Sequence, residues 1–154
     1  MALETIHREH AIDGIAPRDV YDVVVDYACY PRVFPEFTGV RVLSELGHRK
    51  RVEFRAAVVV DVRYVLDVVH DPGALTTRWS FVEGDVVSDS EGGWTLSGDA
   101  SHTVVHYRAG FAFRALPKLL ANKIANALVT SHLPARFHAL ETEAVARRTY
   151  AAAW

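Results

Sequence analysis

Residues 26–37 form the stretch Asp26-Tyr27-Ala28-Cys29-Tyr30-Pro31-Arg32-Val33-Phe34-Pro35-Glu36-Phe37, on which the interpretation of the whole chain depends. Four aromatic residues and two prolines within twelve positions make it too stiff and too apolar for an ordinary solvated loop. An amphipathic helical pattern precedes it, and a long series of strand patterns follows. The stretch therefore predicts a short helix and turn folded over a hydrophobic space.

Length and composition predict a single domain spanning residues 1–154. A chain of 154 residues, half of them hydrophobic, is long enough to bury a substantial core. Its net charge of -2 gives no electrostatic reason to expect binding to nucleic acid. The first residues lack a basic region followed by an apolar run, and no apolar stretch reaches ~18 residues. We therefore expect a cytoplasmic protein without a transmembrane segment.

Metal and cofactor chemistry find no support in the sequence. Cys29 is the only cysteine, which rules out an internal disulfide and a cysteine-based zinc site. The eight histidines form neither a His-x-His nor a His-Glu-x-x-His pattern, and the glycines are scattered among turns. We expect no metal site and no cofactor.

The first third of the chain predicts a strand followed by a helix. Residues 3–13 alternate loosely, as in a strand, and Pro17 suits the first turn of a helix because its missing N–H is not needed there. From residue 19 the apolar positions Val20, Val23, Val24 and Tyr27 follow a helical spacing. This helix is rich in valine, so its stability must come from packing.

The middle of the chain predicts six strands joined by short turns. Alternation of apolar and polar residues marks ranges 39–46, 49–60, 62–70, 76–83, 86–97 and 101–113. Turns of hairpin length, such as Asp71-Pro72-Gly73, imply that consecutive strands pair in antiparallel fashion.

The C-terminal third predicts one long helix over residues 116–148. The apolar residues that recur along one face are Leu116, Leu120, Ile124, Leu128 and Leu140. Pro134 lies inside this segment and predicts a kink. A strand, helices, six strands and a long helix correspond to an α+β fold, in which a curved antiparallel sheet wraps around the helix. Large side chains fill the remaining gap or line a cavity in it.

Several short motifs, taken in order, resemble the START-related helix-grip superfamily (SRPBCC). They are Asp26-Tyr27-x-x-Tyr30-Pro31 with Phe34-Pro35, the turns Asp71-Pro72 and Val82-Glu83-Gly84-Asp85, and the strand motif Gly93-Trp94-x-Leu96. The chain is most similar to the bacterial polyketide cyclase/dehydrase-like branch, which includes coenzyme Q-binding proteins and a ribosome-associated toxin. The resemblance covers nearly the whole chain and implies a seven-stranded sheet that grips the C-terminal helix around a hydrophobic cavity.

The resemblance implies that apolar and aromatic side chains line this cavity and that residues 26–37 gate it. The alternative is that the same aromatics simply form a packed core and cap. The expected ligand-binding residues are Tyr27, Phe34, Phe37, Phe54, Tyr64, Leu66, Val68, Trp79, Phe81, Trp94, Tyr107, Leu120, Ile124 and Leu128, around a space of a few hundred Å³.

Catalysis finds less support than binding. The cyclase relatives place an arginine on the strand before the Asp-Pro turn, but here the inner face of that strand is predicted to carry Val62, Tyr64, Leu66 and Val68. A register slip of one residue would instead turn Arg63 and Asp67 inward. Tyrosine near its ordinary pKa of ~10 is a weak base at neutral pH. We assign no catalytic residue.

Three function classes are therefore compatible with the sequence. The first is binding or carriage of a hydrophobic small molecule such as a quinone, a lipid or a polyketide. The second is a polyketide aromatase/cyclase, and the third is an interaction protein similar to the ribosome-associated toxin. The sequence favours the first class. The expected partner is a hydrophobic small molecule, and transient contact with a membrane or another protein is compatible with this class.

Overall fold

Seven antiparallel strands form one curved sheet with helices at both ends of the chain. The computed structural model describes residues 4–114, 116–127 and 131–152. The strands are β1 (Glu4–Asp13), β2 (Phe37–Leu46), β3 (Arg49–Val58), β4 (Val60–Asp71), β5 (Thr76–Gly84), β6 (Val87–Asp99) and β7 (His102–Phe113). Their order in the sheet is β1-β7-β6-β5-β4-β3-β2, so each strand from β2 to β7 lies beside its neighbour in sequence and β1 pairs with β7.

The helices are α1 (Pro17–Val24), α2 (Tyr30–Val33), α3 (Lys118–Ala127) and α4 (Leu133–Ala152), and a 3-10 turn spans Tyr27–Cys29. Helix α1 begins at Pro17, as the sequence predicts. Its valines are buried against α4, β6 and β7, so packing compensates for their low helix propensity.

Helix α4 packs across the concave face of the sheet, which confirms the predicted α+β helix-grip fold. Its buried residues Leu133, Phe137, Leu140 and Ala144 recur every three or four positions, as one helical face requires. The Phe137 ring contacts Trp94 of β6 edge-on at 6.3 Å between ring centroids. The helix therefore reaches the sheet through large side chains, and such contacts leave space between the two backbones.

The C-terminal region contains two described helices, α3 and α4, where the sequence predicts a single kinked helix. Residues 128–130 between them lie outside the described ranges, and a π-helical turn at residues 131–132 leads into α4. Pro134 is the second residue of α4 and follows this π-helical turn directly.

The turn between β3 and β4 lies at Val59, two residues before the predicted position at residue 61. Val58 pairs with Val60, and Val59 alone joins the two strands with a φ of 67°. Valine rarely adopts a positive φ, because its branched β-carbon is then crowded by the backbone. The Val58-Val59-Val60 run contains none of the usual turn residues, so the sequence does not predict this turn.

Candidate functional site

The gate segment, residues 26–37, packs as an aromatic layer at one end of the sheet. The Tyr30 ring lies 5.0 Å from the Phe34 ring and 5.5 Å from the Phe37 ring, measured between centroids. Phe37 in turn lies 5.6 Å from Phe54 of β3. The Tyr30 hydroxyl donates to the Val24 carbonyl oxygen at 2.5 Å, which ties the gate segment back to α1. The predicted short helix and turn over a hydrophobic space are present.

Ion pairs hold the gate segment against α4. We call this group the latch; it consists of Asp26, Arg32, Glu143 and Arg147. Arg32 contacts both carboxylate oxygens of Glu143 at 2.9 Å, and Arg147 contacts Glu143 at 2.8 Å and Asp26 at 2.7 Å. The hydrogen bond from Arg32, together with that from Arg147, lowers the pKa of Glu143 to about 2. Glu143 therefore stays ionised at neutral pH, and the latch joins two segments distant in sequence.

A buried tyrosine–histidine pair connects the gate segment to β4. The Tyr27 hydroxyl lies 2.8 Å from Nε2 of His70, and Nδ1 of His70 lies 3.1 Å from the carbonyl oxygen of His48. A carbonyl oxygen only accepts, so Nδ1 carries the proton and Nε2 accepts from Tyr27. Burial lowers the pKa of His70, which favours this neutral form at pH 7. No sequence motif singles out His70, although its place directly before Asp71-Pro72 puts it on the predicted inner face of β4.

Two neighbouring cavities lie between the sheet and the helices. The inner cavity, of about 50 Å³, is lined by Tyr27, Tyr30, Phe37, Phe54, Tyr64, Leu66, Val68, Thr77, Trp79, Trp94, Tyr107, Phe111 and Arg136. The end cavity, of about 40 Å³, is lined by Glu36, Phe37, Ala56, Val58, Val62, Tyr64, Val87, Tyr107, Phe111, Phe113, Ile124 and Arg136. We call the residues common to both the waist: Phe37, Tyr64, Tyr107, Phe111 and Arg136. Each cavity is smaller than the few hundred Å³ expected from the sequence.

Most of the predicted ligand-binding residues line these cavities. Nine of the fourteen line the inner cavity, namely Tyr27, Phe37, Phe54, Tyr64, Leu66, Val68, Trp79, Trp94 and Tyr107, and Ile124 lines the end cavity. Phe34, Phe81 and Leu120 line neither cavity and pack against the core instead. Phe81 follows a register shift between β4 and β5, which changes the pairing around it. Leu128 lies outside the described residues.

The inner face of β4 carries the predicted residues. This strand therefore places no arginine in the cavity, although the cyclase relatives carry one on the equivalent strand. Val62, Tyr64, Leu66 and Val68 are buried, whereas Arg63 contacts Glu53 at 2.8 Å and Glu83 at 3.0 Å on the outer face. A different arginine reaches the waist. Arg136 extends from α4 with only 12% of its side chain exposed. Sequence reasoning missed it, although it lies three residues after Leu133 and four before Leu140 and thus falls on the buried face of α4.

Arg136 forms a buried ion pair that is the polar centre of the site. Its Nη2 lies 2.8 Å from Oε1 of Glu36, and its Nε donates to the same oxygen at 3.0 Å. Its Nη1 donates to the Tyr107 hydroxyl at 3.2 Å. The guanidinium also stacks over the Phe37 ring, 5.2 Å from the centroid. Although burial disfavours the cation, Tyr107 and Glu36 raise the pKa of Arg136, so it remains charged.

The waist tyrosines remain protonated at neutral pH. Burial raises the pKa of Tyr64 and of Tyr107, and the nearby Arg136 opposes this rise without cancelling it. Both phenols are therefore hydrogen-bond donors and not bases. An arginine does not release its proton either. The described waist thus positions donors and a fixed cation beside apolar surface.

Within residues 4–114, 116–127 and 131–152, no group of three or more His, Cys, Asp or Glu side chains is arranged to hold a metal ion. None of the described helices is both long enough and apolar enough to cross a bilayer.

Comparison with known proteins places the chain in a family. Residues 14–134 match the family described as polyketide cyclase / dehydrase and lipid transport. No curated protein sequence matches the chain. The ZhuI aromatase/cyclase of a Streptomyces species has a similar structure, with a TM-score of 0.79, 23% identity, and coverage of 94% of this chain and 96% of that one. A protein of Thermus thermophilus has a TM-score of 0.80 at 22% identity, covering 94% and 99%.

A START superfamily protein of Mycobacterium smegmatis is also similar, with a TM-score of 0.76 at 14% identity, covering 93% of this chain and 97% of that one. At these identities the structural likeness establishes the fold alone, whereas the sequence match spans most of the chain. The chain belongs to the polyketide cyclase/dehydrase and lipid transport family.

Proposed function

We propose that this protein binds an apolar small molecule in the space between the sheet and α4. The observation that carries the proposal is the pair of adjoining cavities, whose walls are mostly aromatic and aliphatic, with Thr77, Glu36 and the polar groups of the waist as the exceptions. Small-molecule sites generally combine apolar walls with a few placed polar groups. The family description, which includes both cyclases and lipid transport, supports this reading.

Ligand binding in this space requires the cavities to enlarge. A multi-ring ligand needs a site of roughly 300 Å³ or more, which neither cavity provides. In the described range of α3, Ile124 is buried and Leu120 and Ala127 are partly buried against the core, so displacing this helix exposes these side chains and opens the end cavity. Burying ~300 Å² of ligand contributes about 7 kcal/mol before ordering costs, which offsets the cost of exposing them.

Binding without chemical change is the function that the waist supports best. General acid–base catalysis needs a group that exchanges its proton near neutral pH. Tyr64 and Tyr107 have raised pKa values, Arg136 stays charged, and Glu36 is held in the ion pair with Arg136. A carrier of a quinone, lipid or polyketide needs none of these to react.

One observation favours an aromatase/cyclase as the second candidate. Arg136 and the two phenols are fixed donors of the kind that stabilise a developing enolate oxygen. Incubation with linear polyketides and with quinones, followed by product analysis, separates the two functions. A protein-dependent product that disappears in Tyr64→Phe or Tyr107→Phe would favour the cyclase.

Filling the inner cavity is expected to weaken ligand binding. Val68 lines this cavity, and its neighbour Val69 lies on the opposite face of β4 with 38% exposure. We expect Val68→Phe to weaken binding of a lipophilic probe at least about tenfold, because the added ring occupies space that the ligand needs. Quenching of tryptophan fluorescence in a Trp154→Phe background, which leaves Trp79 and Trp94, measures the affinity.

Val69→Phe is the matched control, since it adds the same ring outside the cavity and is expected to leave the affinity unchanged. Circular dichroism establishes that both variants fold. Equal loss of binding in the two variants, or equal retention, would contradict a ligand site in the inner cavity.

A further inference from the structure

Several hydrogen-bond donors at the waist have no acceptor among the described residues. An arginine carries five N–H donors. Three N–H groups of Arg136 have partners. The Nε–H and one Nη2–H point to Glu36, and one Nη1–H points to Tyr107. Each terminal nitrogen bears a second hydrogen, so two N–H groups have no acceptor among the described residues. Such a surplus in a water-poor site is costly unless an acceptor is supplied from elsewhere.

The two waist tyrosines add to this surplus. The Tyr107 oxygen accepts from Arg136, but its own O–H finds no acceptor among the described residues. The Tyr64 hydroxyl makes no hydrogen bond to any side chain or backbone group in the described ranges, although its residue is only 8% exposed. Burial keeps both phenols protonated. Three side chains therefore offer unused donors to the same small region.

This donor group lies in the middle of the apolar space and not at its end. On one side the inner cavity extends to Tyr27, Val68 and Trp79, and on the other the end cavity extends to Val87 and Ile124. A molecule that fills both cavities therefore has these donors beside its middle. A single-chain lipid with its polar group at one end would leave them unpaired or would leave one lobe empty.

The charge of the waist determines which kind of acceptor fits. Arg136 is already neutralised by Glu36, which is 6% exposed and contacts it at 2.8 Å. An anionic ligand would have to compete with Glu36 or place a second negative charge beside it in a poorly solvated site. A neutral carbonyl oxygen accepts from Tyr64, Tyr107 and Arg136 without disturbing the ion pair.

We infer that the ligand is an elongated apolar molecule, such as a fused-ring compound, that carries a neutral hydrogen-bond-accepting oxygen near its middle. This inference rests on the proposed function and narrows it to a ligand class. Tyr64, Tyr107 and Arg136 hold the oxygen, and the two lobes hold the hydrocarbon on either side.

Three tricyclic probes of nearly equal size test the inference. Fluorene has no oxygen, 9-fluorenone has a central ketone, and fluorene-2-carboxylate has a charged group at one end. We expect 9-fluorenone to bind about tenfold more tightly than fluorene, the effect of one charge-assisted hydrogen bond. Fluorene-2-carboxylate is expected to bind more weakly than 9-fluorenone.

Two variants test whether the preference for 9-fluorenone over fluorene arises at the waist. Tyr64→Phe removes a hydroxyl that has no partner in the described protein, so it is expected to fold normally. Its preference for 9-fluorenone over fluorene is expected to fall at least about threefold. The double variant Glu36→Leu/Arg136→Met, which leaves no unpaired buried charge, is expected to lose the preference as well.

Each outcome decides a different claim. Equal binding of the three probes, or tightest binding of the carboxylate, overturns the central-oxygen inference and leaves apolar ligand binding intact. A ketone preference that survives in Tyr64→Phe and in the double variant also overturns it. Failure of all three probes to bind overturns the inference together with the proposed function.

Discussion

Replacing Glu36 by leucine is expected to lower the free energy of unfolding by about 3 to 5 kcal/mol. The substitution leaves the Arg136 guanidinium in a site where only 12% of its side chain is exposed, with the Tyr107 hydroxyl and two aromatic rings as its remaining partners. An unpaired buried charge is among the costliest defects in a folded protein, because neither water nor a counter-ion compensates it. Urea unfolding followed by circular dichroism measures the loss.

Two further variants show whether the loss comes from the stranded charge. Glu36→Leu/Arg136→Met removes both charges, and we expect it to be more stable than Glu36→Leu alone. Glu45→Leu breaks the exposed pair with Lys50, in which the Glu45 side chain is 59% exposed, and is expected to cost no more than about 1 kcal/mol. If Glu36→Leu lowered the free energy of unfolding no more than Glu45→Leu does, water would have to solvate the Arg136 guanidinium. That result would contradict its burial at the waist.

Replacing Gly92 by alanine is expected to cost more than about 4 kcal/mol or to prevent folding. A β-carbon at this position would lie 2.2 Å from the carbonyl oxygen of Arg108 and 2.5 Å from Cζ2 of Trp79. The first contact is with backbone, so β6 and β7 would have to separate to relieve it. The second is with the ring that forms one wall of the inner cavity. Gly92 therefore allows the close approach on which the cavity wall depends.

Gly39→Ala is the control for this variant. Its β-carbon would meet only the Arg55 side chain, at 3.8 Å, and Gly39 has no positive φ. We expect a change within about 1 kcal/mol, since alanine is compatible with this conformation. Equal stability of Gly92→Ala and Gly39→Ala in urea unfolding would refute the tight packing of β6 against β7 and Trp79.

The features that the sequence predicted correctly are those encoded by regular patterns. Alternation along residues 62–70 gave the right inner face, with Tyr64 and Leu66 inside and Arg63 outside. The aromatic and proline content of residues 26–37 predicted the short helix and turn found there. Both inferences depend only on side-chain size and spacing, which the fold uses directly.

The features that the sequence missed depend on contacts between distant segments. The ion pair of Glu36 with Arg136 joins residues 100 positions apart, and no local pattern encodes such a partnership. The turn at Val59 lacks turn residues, so its position is set by the pairing of β3 with β4. A charged residue on an otherwise apolar helical face was the one signal that pointed to Arg136.

The same contacts explain why this fold forms a cavity and not a solid core. Helix α4 meets the sheet through long side chains such as Phe137 and Arg136, which keep the two backbones apart. Tyrosines at the waist and Trp79 and Trp94 on the sheet narrow the gap without closing it. The latch and the Glu36–Arg136 pair hold residues 26–37 over this space.

Isotope-filtered nuclear Overhauser spectroscopy, with unlabelled 9-fluorenone and ¹³C-labelled protein, tests most directly whether an apolar molecule binds between the sheet and α4. We expect contacts from the probe to the rings of Phe37, Tyr64 and Trp94, which line the inner cavity. Contacts confined to outward-facing residues of the sheet, such as Val69 and Thr95, or the absence of any contact at saturating probe, would contradict ligand binding in this space.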